Sequence, residues 1–141
     1  MFSTKYETRL LEWRALRNDI DQSEDPVRLC LEFWNNIPEV SIAADPYDQS
    51  RWPTPWEMIE ENNFCLFVKI LAICYTLQLT DKFSQMEFEI NIVQDRKKQD
   101  VSYLLFFDTT CIGYDSMKPI LISDLPNDLI FEKRHLMPTL Q

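Results

Sequence analysis

Over the first eighty residues the apolar positions recur with a helical period, and after residue 85 the period falls to two. Tyr6, Leu10, Trp13 and Leu16 share one face of a helix over residues 4–19, while Glu7, Arg9, Glu12, Arg14 and Arg17 keep the rest wet. The polar stretch Asp19 to Glu24 breaks it. A second helix starts with Asp25 as cap and Pro26 at the first helical position. Its residues Val27, Cys30, Leu31, Phe33 and Trp34 form a broad apolar face, and Pro38 ends it. Residues 39–53 read as a loop bearing proline and aspartate.

Thr54-Pro55-Trp56-Glu57 is a compact helix start. The threonine can accept a backbone N–H, the proline pre-sets the first turn, and the glutamate three residues on completes a capping box. That helix runs to about Glu61. Asn62 or Asn63 then caps a longer one, Phe64 to about Leu79, interrupted only by Lys69, Thr76 and Gln78. Apolar almost all round, it is the predicted central buried helix. Phe88, Ile90 and Ile92 alternate with Glu87, Glu89 and Asn91, the pattern of a half-buried strand. A charged turn from Asp95 to Asp100 leads to a second strand, Ser102–Phe107. Asp108-Thr109-Thr110 turns into a third, Cys111–Tyr114, and Pro119–Ile122 reads as a short fourth. Ser123 or Asp124 would cap a last short helix around Pro126 to Lys133. Helices followed by antiparallel strands make an α+β domain. Residues 1–50 form a helical extension and residues 51–141 the core, together one compact unit.

Composition narrows the chemistry. With 141 residues and 45% hydrophobic positions the chain can bury one proper core. Its single glycine excludes glycine-rich phosphate cradles, and its single histidine excludes multi-histidine metal sites. A net charge of −9 argues against direct nucleic-acid binding. Arg96-Lys97-Lys98, flanked by Asp95 and Asp100, reads as a hairpin tip. The apolar run Ile70–Tyr75 is too short to cross a bilayer, and no apolar leader opens the chain, so a membrane association or export is not expected. Cys30, Cys65, Cys74 and Cys111 are widely spaced with no C-x-x-C pair, which points to reduced thiols without zinc or a disulfide framework. No cofactor motif occurs.

Trp52-x-Thr54-Pro55-x-Glu57, then Cys65 at a helix start, Lys69 and Tyr75-Thr76-Leu77, resembles the bacterial transglutaminase-like cysteine proteinases. The resemblance covers residues 50–118. It implies a papain-like layout: a nucleophilic cysteine at a buried helix, a histidine opening a later strand, then an aspartate. Carried over, the nucleophile falls on Cys65, the base on Tyr103 or its neighbour Ser102, and the orienting carboxylate on Asp115, with Asp108 the weaker candidate. A helix amino terminus favours thiolate, and the nucleophile needs an imidazole oriented by a carboxylate. This chain departs from that pattern. Asn62-Asn63-Phe64 replaces a Gly-Asp turn, Leu66-Phe67 replaces an acidic pair, and no histidine stands on the strand; His135 lies about twenty residues beyond Asp115. The resemblance therefore implies a scaffold with catalysis lost, in which Cys65, Tyr103 and Asp115 are vestigial positions and no residue is catalytic.

The same residues have plainer readings. Cys65, Cys30, Cys74 and Cys111 suit a core as small apolar groups. Trp52, Trp56 and the prolines lock the loop onto the central helix, Asp115 is a turn residue, and His135 beside Lys133 and Arg134 is solvated. The expected function is a non-catalytic structural or protein-binding subunit of a larger assembly, in contact with other protein subunits. Trp-Pro-Thr-Pro-Trp-Glu and Tyr-Thr-Leu-Gln-Leu-Thr also resemble small virion proteins of tailed bacteriophages, which implies a neck, tail or baseplate component in a virion or host cytoplasm. Two alternatives stand beside this: a Cys65-dependent protease or amidase with a displaced base, and an acidic nucleic-acid mimic that inhibits a host protein. The mimic needs clustered carboxylates, yet only Glu57, Glu60 and Glu61 are dense.

Overall fold

The computed structural model describes residues 2–115 and 118–140. Among these residues four helices come first, α1 Tyr6–Gln22, α2 Pro26–Asn35, α3 Pro55–Glu61 and α4 Leu66–Gln78, with a 3-10 turn at Gln49–Arg51. Five strands follow, β1 Phe88–Asp95, β2 Asp100–Phe107, β3 Thr110–Asp115, β4 Lys118–Leu121 and β5 Ile130–Leu136, and a second 3-10 turn spans Ile122–Asp124. The strands form one antiparallel sheet in the order β4-β3-β2-β1-β5.

The helices pack on α4 for reasons legible in their sequences. Trp13, Leu16 and Ile20 of α1 and Cys30, Leu31 and Trp34 of α2 are buried at helical spacing. Both buried indoles end on one hydroxyl: Trp13 Nε1 and Trp34 Nε1 donate to Thr76 Oγ1 over 2.9 and 3.0 Å. Thr76 in turn donates to the Ala72 carbonyl. The capping box is present in full at Thr54 and Glu57, and the Tyr75 hydroxyl donates to the Pro53 carbonyl, holding that segment against α4. Trp56, in contrast, is half-exposed and meets Trp13 of α1 edge-on.

Three local expectations are corrected. Asn62 does not cap α4; it adopts the left-handed conformation (φ 55°) that ends α3, a conformation asparagine tolerates well. Phe64 lies outside the long helix, with its ring against Trp34 and its carbonyl accepting from Val40 N–H, so Cys65 is the cap and Leu66 the first helical residue. Arg9 is not wet. It is 4% exposed and donates to the carbonyls of Ile59, Glu60 and Ser3, two of them at the end of α3. A cation at a helix carboxyl end meets the negative pole of the dipole.

The largest correction concerns residues 126–133, expected to be helical. Residues 130–136 instead form β5, paired antiparallel with β1 from Gln94↔Ile130 to Glu89↔Leu136 with a bulge near Glu132. The physical reason is backbone hydrogen bonding: β1 is buried, and its second side needs a partner. β5 is an edge strand and mostly exposed, so its side chains carry no alternating signal.

On the helix-facing side of the sheet, Phe88, Ile90, Leu105, Phe107 and Ile112 join the core around α4. The opposite side buries Val93, Leu104 and Cys111 under residues including Ile122, Leu125, Leu129 and Phe131. Both sheet edges are blunted, β4 by Lys118 and Pro119, β5 by charge and its bulge, which guards against strand addition. The basic run Arg96-Lys97-Lys98 is the β1–β2 hairpin tip, with the Asp95 carboxylate accepting the N–H groups of Lys97 and Lys98.

Candidate active-site region

Cys65 occupies the N-cap position of α4 with extended backbone, is 4% exposed, and makes no side-chain capping bond. The loop over residues 39–53 is tied beside it by the Val40 N–H to Phe64 carbonyl bond of 3.1 Å. Tyr103, opposite Ile92 in the β1–β2 register, meets Phe67 of α4 edge-on at 5.5 Å. Its phenol is pushed above its ordinary pKa by burial first, then by Cys65 and Asp45. It therefore stays protonated at neutral pH and cannot take a proton from the thiol.

Cys65 and Tyr103 are thus brought together, with Asp45 as a third member that the sequence pattern did not single out. Asp45 accepts the Tyr47 N–H through its carboxylate, and its carbonyl accepts Trp52 Nε1. The Asp-Pro-Tyr turn is a local signal for that geometry, but nothing in the spacing announces its approach to the sheet.

Asp115 stands elsewhere. It is exposed at the end of β3, opposite Lys118 in the β3–β4 pair and beyond a register shift. Its charge acts on neighbouring Tyr114, whose phenol is pushed up by burial first, then by Asp95, and less by Asp115. Asp108, at φ 52° in the β2–β3 turn, lies at the opposite end of β2 from Tyr103. Ser102 follows Val101 at the start of β2, opposite Val93.

His135 is not the solvated residue expected. It is half-buried on β5 opposite Ile90, edge-on to Trp52 at 4.7 Å, with Nδ1 3.3 Å from Gln49 Oε1. Burial, then the nearby Lys133, lowers its pKa. Strand β1 separates it from Tyr103, a gap of two strand spacings or about 10 Å. Trp52 also packs against Phe67 at 4.9 Å, filling space on that side. The other thiols are buried; burial raises the pKa of Cys30 and Cys74, and pushes Cys111 up to about 12. Among the described residues no cluster of three or more His, Cys, Asp or Glu side chains is placed to hold a metal. Among them, too, no helix is long and apolar enough to cross a membrane.

No protein-family model matches the chain, and no curated protein matches its sequence. Among solved structures, calcium-bound LapG of Legionella pneumophila is similar with a TM-score of 0.61 at 15% identity, over 96% of this chain and 81% of that one. Nothing in these comparisons supports the likeness to virion proteins. LapG is a bacterial cysteine protease of the transglutaminase-like family, and the likeness shows the fold of this chain: transglutaminase-like α+β.

Proposed function

We propose that this chain uses a transglutaminase-like scaffold without catalysis and acts by binding other proteins. One observation carries the reading. The strand position that faces Cys65 is held by Tyr103, while the imidazole of His135 is pinned by Gln49 and Trp52 on the far side of β1. A thiol attacking an acyl carbon must lose its proton, and the departing amine must gain one; a neighbouring imidazole ordinarily does both. A protonated phenol does neither at neutral pH.

The test is thiol chemistry joined to a hydrolysis assay. Iodoacetamide should alkylate Cys65 in the native chain more slowly than a small free thiol at pH 7, and a labelled casein substrate should stay intact. Alkylation faster than the free thiol, or casein hydrolysis removed by Cys65→Ala, would sink the reading. The likeness to LapG favours a second one, a Cys65-dependent protease or amidase whose base comes from outside this neighbourhood. Those same two results would establish it.

A further inference from the structure

Beside Cys65, on the β3 side of the sheet, a cleft of about 310 Å³ opens between the end of α2, the first half of α4, the start of β2 and β3. The chain's only glycine accounts for its shape. The β2–β3 ladder runs from Phe107↔Thr110 to Leu105↔Ile112 and stops there. At the next residue, Gly113, φ is +109°, and a Cβ would fall 2.3 Å from the Tyr103 carbonyl oxygen and 3.2 Å from Ile70 Cδ1. The backbones approach each other there without a regular ladder, and residues 100–103 of β2 line the cleft instead of continuing the pairing.

Its walls are Trp34, Leu66, Ile70, Ile73, Val101 and Ile112. Lys69 enters from α4, and Glu39 and Asp100 from the α2 and β2 sides. Lys69 makes no ion pair among the described residues. Of the lining residues Leu66 is 51% exposed; outside the lining, Val40, bonded through its N–H to the Phe64 carbonyl two residues before Leu66, is 39% exposed. An apolar rim that continues onto the surface suits a macromolecular partner. The volume lies at the low end for ligand pockets, enough for one or two anchoring side chains.

We propose that this cleft takes a bulky apolar side chain of an extended partner-protein segment, with an acidic residue of that segment over Lys69 and a basic one toward Asp100 and Glu39. The proposal rests on the protein-binding reading and names the chemistry of the partner. Burial of the apolar anchor supplies the affinity, and the separated charges set direction and register.

A random dodecapeptide library displayed on phage, selected on the full chain, tests it. Enriched peptides should carry a Phe, Tyr, Trp or Leu anchor beside an acidic residue. Synthetic versions should bind Lys69→Glu at least about tenfold more weakly and lose binding to Val101→Trp, which fills the cleft. Leu66→Asp, at an exposed position, gives a second block should the tryptophan variant fail to fold by thermal unfolding. Absence of enrichment over the blocked variants, or equal affinity for Lys69→Glu, overturns the proposal. If selected peptides bind and are cleaved, the non-catalytic reading fails and the cleft stands. If none binds and casein stays intact, the cleft fails alone.

Discussion

Thr76→Val is the sharpest perturbation of the fold, because one hydroxyl closes three hydrogen bonds. Thr76 Oγ1 accepts from Trp13 and Trp34 and donates to Ala72, which uses the whole capacity of a hydroxyl. Valine is nearly the same shape, so no cavity term enters. Two fully buried indole N–H groups would instead lose their acceptor. At about 1–3 kcal/mol for each buried donor left unmade, the cost is about 2–6 kcal/mol. A domain of this size has a total stability of about 5–15 kcal/mol, so the loss is a large fraction of it. The melting temperature should fall by roughly 5–20 °C. Urea unfolding followed by tryptophan fluorescence measures this, with Thr76→Ser as control. The serine keeps the hydroxyl and loses one methyl, at about 1 kcal/mol. Were Thr76→Val to lie within about 1 kcal/mol of the parent, or the serine to cost as much as the valine, the hydroxyl would not be what binds α1 and α2 to α4.

Arg9→Met keeps the aliphatic stem but leaves the Ile59 and Glu60 carbonyls without their donor; urea titration should show a loss of about 2–4 kcal/mol. Gly113→Ala forces a Cβ against the Tyr103 carbonyl at a positive φ, and should cost at least about 2 kcal/mol in the same assay. Asn91 is fully buried on β1 and neither amide atom finds a hydrogen-bond partner among the described residues, so Asn91→Val should raise stability by about 1–2 kcal/mol; an unchanged or lower melting temperature would mean the amide is satisfied in solution. The folded pKa of His135 lies below its ordinary 6.5. Its neutral ring therefore supports folding above pH 6.5, and that support is lost as pH falls toward the folded value while the unfolded chain takes up the proton. A stability profile of His135→Gln should be flatter than the parent's over that window.

The helices were legible because each carries its own local grammar. Pro26 sits at a first helical position, Thr54 and Glu57 close a box, and Trp13 and Leu16 repeat at helical spacing; the break expected from Asp19 is wrong, because α1 runs on to Gln22 with Ile20 buried on the same face. The central strands were legible because one side meets α4, which forces alternation. β5 was not: its identity depends on the unfilled side of β1, a partner forty residues away in the chain, and its exposed Glu132-Lys133-Arg134 run has no period to read. The burial of Arg9 was hidden for a related reason. A charged residue at a helical position reads as wet unless the carbonyls of another helix end are known to meet it.

At the candidate site, the string that carries the family resemblance proves to be made of residues with architectural work. Trp52 spans Phe67 and His135 and is anchored on the Asp45 carbonyl. Thr54 and Glu57 start a helix, Tyr75 holds Pro53, and Thr76 gathers two indoles. None of these contacts requires a reactive thiol, and the one imidazole among them, His135, serves as a packing partner of Trp52. The packing of the scaffold and the proton traffic of a cysteine enzyme therefore rest on separable sets of side chains. On the proposed reading, a chain can hold every bond of the first set while Tyr103 stands where the family resemblance puts the base. Beside Cys65 lies a shaped cleft with mostly apolar walls and with Lys69, which makes no ion pair among the described residues, and such a surface can bind without transforming what it holds. Placing an imidazole there by Tyr103→His tests that separation directly. Stability should change little, since the ring contact with Phe67 is kept, while alkylation of Cys65 at pH 7 should quicken as the new imidazole, with Asp45 near it, draws the thiol toward thiolate. An unaltered alkylation rate in a folded variant would show that the site lacks more than its base.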